Sequence, residues 1–347
     1  MIVNNCRSHL TEIRASAPCR VDMGGTIDIS TFYLMLRHLD PCTFNAAIDL
    51  RTTVTLQPWE SNRIRIIANG FESAEFDAGS APFTHPLGLM FAVCAHYGAE
   101  GINVVIDTPG PPRAGLGGSS TAAVALSAAL ASVCGKPTAA DIACRAHAIE
   151  QAVAGAPCGM QDHLAAVSGG VHAWYWARPA NDQAAFTRRF ALPDHNGPAI
   201  LLAYIGWPHE SVAINSRWRE QFVNGCHRKI WADIVACAHS FVNAWAGQDM
   251  DEAAAAMNQE VDLRLELTPD VLDAMGHGLI EAARGLGCGA RFCGAGAGGC
   301  LWALGSRASI DRLRPQWHRL LRARREAGLL NAHIDAQGLL VNDQPVL

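Results

Sequence analysis

Hydrophobic and polar positions alternate in short runs through the early part of the chain. The segments FNAAIDLRTTVTL (44–56) and RIRII (63–67) carry β-branched residues in strand-like alternation. INVVIDT (102–108) repeats the pattern, and SAPCRVDM (16–23) reads as a strand that runs into two glycines. The period then changes. Ala122 to Val133 is almost pure alanine, leucine and valine, which predicts a helix, and a second helix is predicted over Thr138 to Ala152. Strand signals return at GGVHAWYW (169–176) and PAILLAYIG (198–206). Beyond them, helical spacing covers Ile214–Phe222, Ile230–Ala246, Met250–Leu265 and Leu272–Leu286, before a glycine-rich turn and the strand CLWAL. Strands interleaved with helices, followed by a helix-rich half, predict a two-domain α+β protein. The polar segment ARPANDQAAF (177–186) is the expected boundary, dividing the chain into domains 1–185 and 186–347.

The junction PPRAGLGGSSTAAVALSAALASVCG (111–135) sets flexible residues directly against a strong helix former. Pro111 and Pro112 stiffen the approach, while Gly115, Gly117 and Gly118 permit unusual backbone angles and leave room for a ligand. Ser119, Ser120 and Thr121 are placed to cap the helix that follows. A helix start carries unpaired N–H groups and partial positive charge, so the stretch reads as a phosphate cradle. A small-residue turn leading into a buried helix accounts for the same residues. No lysine follows, which excludes a P-loop, and the glycine spacing is not that of a dinucleotide turn.

Composition narrows the partners. The chain has 347 residues, half of them hydrophobic, enough for a sizeable core. Its net charge is −5 with scattered basic residues, which argues against a nucleic-acid surface. Lys136 and Lys229 are its only lysines, so arginine carries most positive chemistry. The longest apolar run, near Ala122 to Cys134, is too short to span a bilayer, and MIVNNCRSHLTEIR lacks the apolar core of a signal peptide. Twelve cysteines without a CxxC pair predict buried free thiols in a reduced, cytoplasmic protein.

Three motifs stand in order. SAPCRVDMGGTID (16–28) is a strand bearing Arg20 that ends in a glycine turn, with Asp28 close behind. The cradle is the second, and GARFCGAGAGG (289–299) is the third. This arrangement resembles the GHMP kinases, the superfamily of galactokinase, homoserine kinase, mevalonate kinase and phosphomevalonate kinase, over nearly the whole chain. Departures are a first motif one residue short, GLGGSST in place of GLGSSAA, Arg291 at the usual lysine and Ala297 at a usual glycine.

The resemblance implies an N-terminal mixed β/α domain, a C-terminal ferredoxin-like α+β domain, and an active site in the cleft between them. It implies ATP and Mg²⁺, with Pro112, Gly115, Leu116, Gly117, Gly118, Ser119, Ser120, Gly294 and Gly296 around the nucleotide. Asp162, in a loop after the second helix, is implied as the base with Arg20 beside it, and Glu150 and Ser119 as the metal ligands. Asp28, Gly25, Asn45, Gly159 and Gln161 are the implied substrate residues. GMQD (159–162) and FNAAIDL (44–50) resemble the fucokinase and heptose 7-phosphate kinase patterns, although Met160 stands where the latter commonly carry lysine. The implied reaction phosphorylates the anomeric hydroxyl of a sugar. D-glycero-D-manno-heptose 7-phosphate is the first candidate, with a galactose- or fucose-like hexose second. A non-catalytic ligand sensor of the same fold and a nicotinamide-dependent oxidoreductase are the alternatives from other classes. Asp162 and Glu150 count against the first, and the missing dinucleotide turn against the second.

Overall fold

The computed structural model describes residues 12–135, 137–155, 157–176, 188–193, 199–208 and 211–346. Two sheets organise it. The first half contributes β1 (Ile13–Met23), α1 (Ser30–Met35), β2 (Cys42–Pro58), β3 (Arg63–Ala68), β4 (Ala74–Asp77), α2 (Gly88–His96) and β5 (Ile102–Asp107). It continues with α3 (Gly118–Cys134), α4 (Ala139–Val153), α5 (Gln161–Ser168), β6 (Val171–Tyr175) and β7 (Arg188–Leu192). β1 and β2 pair antiparallel along their length, with a shift of register between Pro18 and Cys19. The long β2 pairs β6 through its first residues and β5 through its last. β5 runs parallel to β3, so the sheet is mixed. Because side chains alternate along a strand, Arg20 and Asp22 of β1 share a face.

Helix α3 packs against β1 and β2 and against α4 and α5. Ala123, Val124, Ala125, Leu126 and Ala129 are fully buried on it. Apolar residues on every side suit a helix enclosed by its neighbours, and alanine lets those neighbours approach closely.

The second half contributes β8 (Ala199–Tyr204), α6 (Ser211–Val223), α7 (Arg228–Ala246), α8 (Met250–Leu267), α9 (Ala274–Arg284), β9 (Gly289–Phe292), β10 (Cys300–Gly305), α10 (Arg307–Leu321) and β11 (Gly328–Leu330). Its antiparallel sheet has the order β11-β8-β10-β9. In chain order this is strand, helices, two strands, helix, strand with spatial order 4-1-3-2, which is the ferredoxin-like arrangement. The chain then returns: β12 (Leu340–Val341) pairs with β1, and β13 (Gln344–Pro345) with β12. The final strands therefore complete the first sheet. The expected boundary near residue 185 lies outside the described residues.

Three expectations about helix starts change. α3 begins at Gly118 with Gly117 as its N-cap in the left-handed region, and no side chain caps it. Asp162 belongs to the first turn of α5, after the N-cap Met160, rather than to a loop. The helix read from Leu272 starts at Ala274, because Asp273 accepts from the N–H of Gly276 at 2.8 Å and caps it there. Most described cysteines are buried free thiols, while Cys144 and Cys226 are exposed. Among the described residues, no helix is long and apolar enough to cross a membrane.

Candidate active site

A cleft of about 760 Å³ opens between the two halves. Its walls come from the end of β1 and the turn after it, the loop 108–118, the start of α3, Glu150 of α4, the start of α5, the start of α6 and the third motif. One end is apolar, with Ala68, Phe71, Leu89, Met90 and Ile106. The other carries Arg20, Thr26, Asp28, Gln161, Asp162 and Asn215.

Arg20 organises the polar end. Its Nε donates to Asp162 Oδ1 at 2.7 Å, its Nη1 donates to Gly115 O at 2.6 Å, and Nη1 lies 3.4 Å from Asp22 Oδ1. Burial works against its charge, yet Asp162 and Asp22 hold its pKa above the ordinary arginine value. Asp162 is a fifth exposed and faces the cleft with the rest of its carboxylate. Asp28 is buried and accepts from the backbone N–H of Gln161 at 3.0 Å. Burial, with Asp162 and Asp22 nearby, pushes its pKa up to about 6.

The glycine-rich loop is clamped from both halves. Arg20 N–H donates to Leu116 O at 3.1 Å, and Cys300 N–H, beyond the third motif, donates to Ala114 O at 2.7 Å. With Gly115 O on Arg20, three consecutive carbonyls are taken up, which fixes the loop's backbone. Gly117 has φ of +76°, and a Cβ there would stand 3.0 Å from Asp162 Cγ. The loop thus passes against the Asp162 carboxylate with only a hydrogen between them.

The serine that meets Glu150 is Ser120, not Ser119. Ser120 Oγ donates to Glu150 Oε2 at 2.7 Å, and Ser119 is exposed at the cleft wall. The helix turn decides this, since consecutive residues point about 100° apart. His163 Nε2 lies 2.8 Å from the same Glu150 oxygen. Burial alone would raise the Glu150 pKa, but His163 and Ser120 outweigh it and hold it below the usual carboxylate range.

Of the residues expected around the ligands, Gly25, Asn45 and Gly296 do not line the cleft. Asn45 is fully buried on β2, where its Nδ2 donates to Gln161 O at 3.2 Å, so it positions Gln161 instead. Gly25 O accepts from Arg264 at 2.6 Å, and Gly296 turns toward Val271 and Phe292. Gly294 lines the cleft and donates its N–H to Asp22 Oδ1 at 2.8 Å. Pro112, Gly115, Leu116, Gly118 and Gly159 line the cleft. Ala297, at a usual glycine of the motif, adopts a φ of +56°, a left-handed angle that disfavours an L-residue. Thr26, Asn215 and Asp22 carry site geometry that the sequence left unmarked. Only Asp22 had a signal, two residues beyond Arg20 on one strand face. Cys19 and Cys158 also border the cleft, and burial pushes both thiols up, away from nucleophilic thiolate.

Residues 85–170 match the family described as GHMP kinases N terminal domain, a span that holds the glycine-rich loop, α3, α4 and α5. A mevalonate kinase of Thermococcus sibiricus is 25% identical over 289 residues, covering 75% of this chain and 81% of that protein. The Lin0012 protein from Listeria innocua shares the fold with a TM-score of 0.78 at 14% identity, covering 96% of this chain and 100% of that one. A D-glycero-D-manno-heptose 1-phosphate kinase from Bacteriodes thetaiotaomicron gives 0.72 at 17% identity, over 95% and 98%. The span that matches the GHMP kinases N terminal domain supplies much of the cleft wall, and the two-sheet fold is shared with these structures over nearly the whole chain.

Proposed function

We propose that the protein is an ATP-dependent kinase that phosphorylates the anomeric hydroxyl of a sugar. The observation that supports this most is the Arg20–Asp162 pair, 2.7 Å apart, set against the uncapped start of α3 in one cleft. The free N–H groups of α3 and the loop around Gly117 suit the ATP phosphates. The apolar end around Phe71, Met90 and Ile106 suits the adenine. In the reaction, the acceptor oxygen attacks the γ-phosphorus while Asp162 takes the hydroxyl proton. The new O–P bond forms as the bond from the γ-phosphorus to the β–γ bridging oxygen breaks, and ADP leaves. Arg20 holds the carboxylate in place and offsets charge on the group in transit.

Ser120 and Glu150 fit Mg²⁺, because they are oxygen donors 2.7 Å apart on the cleft wall and the ion takes its remaining ligands from water and phosphate. When bound, it would spread the negative charge of the triphosphate. The motifs GMQD and FNAAIDL favour a heptose 7-phosphate acceptor, followed by a galactose- or fucose-like hexose. A second reading, a kinase of mevalonate, is favoured by the 25% identity to the Thermococcus sibiricus mevalonate kinase.

ATP consumption measured against free sugars, sugar phosphates and mevalonate tests the proposal. The expected product has an anomeric phosphate by phosphorus NMR, and the 1-O-methyl glycoside of the substrate binds without turnover. A primary phosphate ester with a free reducing end would remove the sugar-1-kinase reading.

A further inference from the structure

The polar end of the cleft is built to receive hydrogen-bond donors. Asp28 is 5% exposed, yet its one described hydrogen bond comes from the N–H of Gln161. The Gln161 side chain is also buried, and its Oε1 has no partner. Gln161 Oε1 is therefore a buried acceptor short of a donor, a costly condition unless a ligand supplies one, and the Asp28 carboxylate beside it has further acceptor capacity. Beside them Thr26 holds a φ of +74°, strained for a β-branched residue, and its hydroxyl reaches across to Asn215 Oδ1 of α6 at 3.4 Å. This contact joins the two halves over the polar end, and it leaves the Asn215 amide N–H groups available to an acceptor oxygen.

Charge narrows the ligand further. The arginines on the described lining are Arg20 and Arg113. Arg20 is matched by Asp162 and Asp22, and Arg113 is exposed on the loop that leads into α3. Asp28, Glu150 and Asp162 line the same cleft. A phosphate or carboxylate carried by the acceptor would be desolvated beside Asp28, where like charge repels it. Neighbouring hydroxyls would instead donate to Asp28 and Gln161 and accept from Asn215.

We propose that Thr26 and Asn215 are specificity-determining residues which, with Asp28 and Gln161, select an uncharged polyhydroxy acceptor and reject one that already bears a phosphate or carboxylate. The inference rests on the kinase reading in taking this end of the cleft for the acceptor, and it departs from the heptose 7-phosphate favoured by the motifs.

The test reads binding without turnover. The full chain, loaded with Mg²⁺ and a non-hydrolysable ATP analogue, is titrated by calorimetry with galactose, fucose, mannose and D-glycero-D-manno-heptose. Mannose 6-phosphate, the heptose 7-phosphate and mevalonate form the charged arm. A free sugar is expected to bind at least tenfold more tightly than its phosphate, and mevalonate to bind more weakly than that sugar. Asn215→Ala and Thr26→Gly, the latter relieving the strained angle, are each expected to weaken that sugar about tenfold and leave the affinity for the ATP analogue within twofold. Asn215→Arg is expected to narrow the preference against the phosphorylated partner. Tighter binding of a sugar phosphate or mevalonate, no binding of any free sugar, or folded Asn215 and Thr26 variants with unchanged sugar affinity would each overturn the inference. A protein that binds a free sugar selectively but consumes no ATP would sustain the inference and remove the kinase reading.

Discussion

Asp162 and Asp28 occupy one end of the cleft in different settings, and their substitutions should separate chemistry from recognition. Asp162 is held by Arg20 at 2.7 Å. Asparagine keeps an acceptor for that bond but cannot take a proton, so Asp162→Asn is expected to lower kcat by about 10³-fold while the ATP dissociation constant changes less than about threefold. Steady-state kinetics with calorimetric ATP binding checks this, and activity within about tenfold of the parent would exclude Asp162 as base. Asp28 titrates near 6 instead of 3.8 because it is buried, so the folded state holds its proton more tightly than the unfolded chain. The stability this contributes is present below pH 3.8 and is lost as pH rises through about 6, a change of about 3 kcal/mol. Asp28→Asn should therefore melt higher than the parent at pH 8, lose that dependence between pH 4 and 6, and bind acceptor more weakly. A lower melting temperature at pH 8 would contradict the assignment.

Helices α3 and α4 meet at Ser120 and Glu150, and the pairing of elements decides which serine reaches that carboxylate. In a double-mutant cycle, Ser120→Ala and Glu150→Gln are expected to couple in the Mg²⁺ dependence of activity, whereas Ser119→Ala and Glu150→Gln should add. Coupling through Ser119 instead would reverse the assignment. Gly117 links α3 to α5. A side chain there meets a left-handed φ, which disfavours an L-residue by about 1–2 kcal/mol, and presses on Asp162. Gly117→Val is expected to raise the ATP dissociation constant about tenfold or more and to lower kcat as well. Loss of ATP affinity alone would show that the contact with Asp162 has no consequence for catalysis.

Across the whole molecule, a row of alternating charges ties the halves together. It runs from Asp162 through Arg20 and Asp22 of β1 to Arg291 of β9 and to Glu260 and Arg264 of α8. Arg291 Nη1 lies 3.1 Å from Asp22 Oδ2, Arg291 Nε 2.9 Å from Glu260 Oε2, and Arg264 Nε 2.8 Å from Glu260 Oε1. Trp218 and Trp231 face the Arg264 guanidinium at 4.7 and 4.8 Å. The fork of Arg291 reaches two carboxylates at once, a geometry a lysine ammonium does not reproduce. Arg291→Met leaves Asp22 and Glu260 under-compensated and is expected to cost about 3–5 kcal/mol in urea denaturation. Arg291→Lys should cost less, because the charge remains. An unchanged midpoint for Arg291→Met would mean that the row does not hold the halves together.

Local chemistry made much of this legible in the chain itself. Alternating β-branched residues marked β2, β3 and β5, and an alanine run marked α3, because those choices answer to backbone geometry and to the period of one element. The glycines before α3 and the strand bearing Arg20 were visible for the same reason, as residue types at short spacings, whereas Glu150 and Asp162 were marked by the family resemblance. Tertiary structure alone decided which of these meet. Ser120 rather than Ser119 reaches Glu150 because α4 crosses α3 on one side. Asn45 supports Gln161 from a fully buried strand, and the final strands close the first sheet although they lie at the far end of the sequence. Thr26 meets Asn215 across 189 positions, and Arg291 meets Asp22 across 269. No periodicity spans such separations, because contacts of that range are set by how whole elements pack, and packing depends on the summed burial of both halves rather than on any local run of residues.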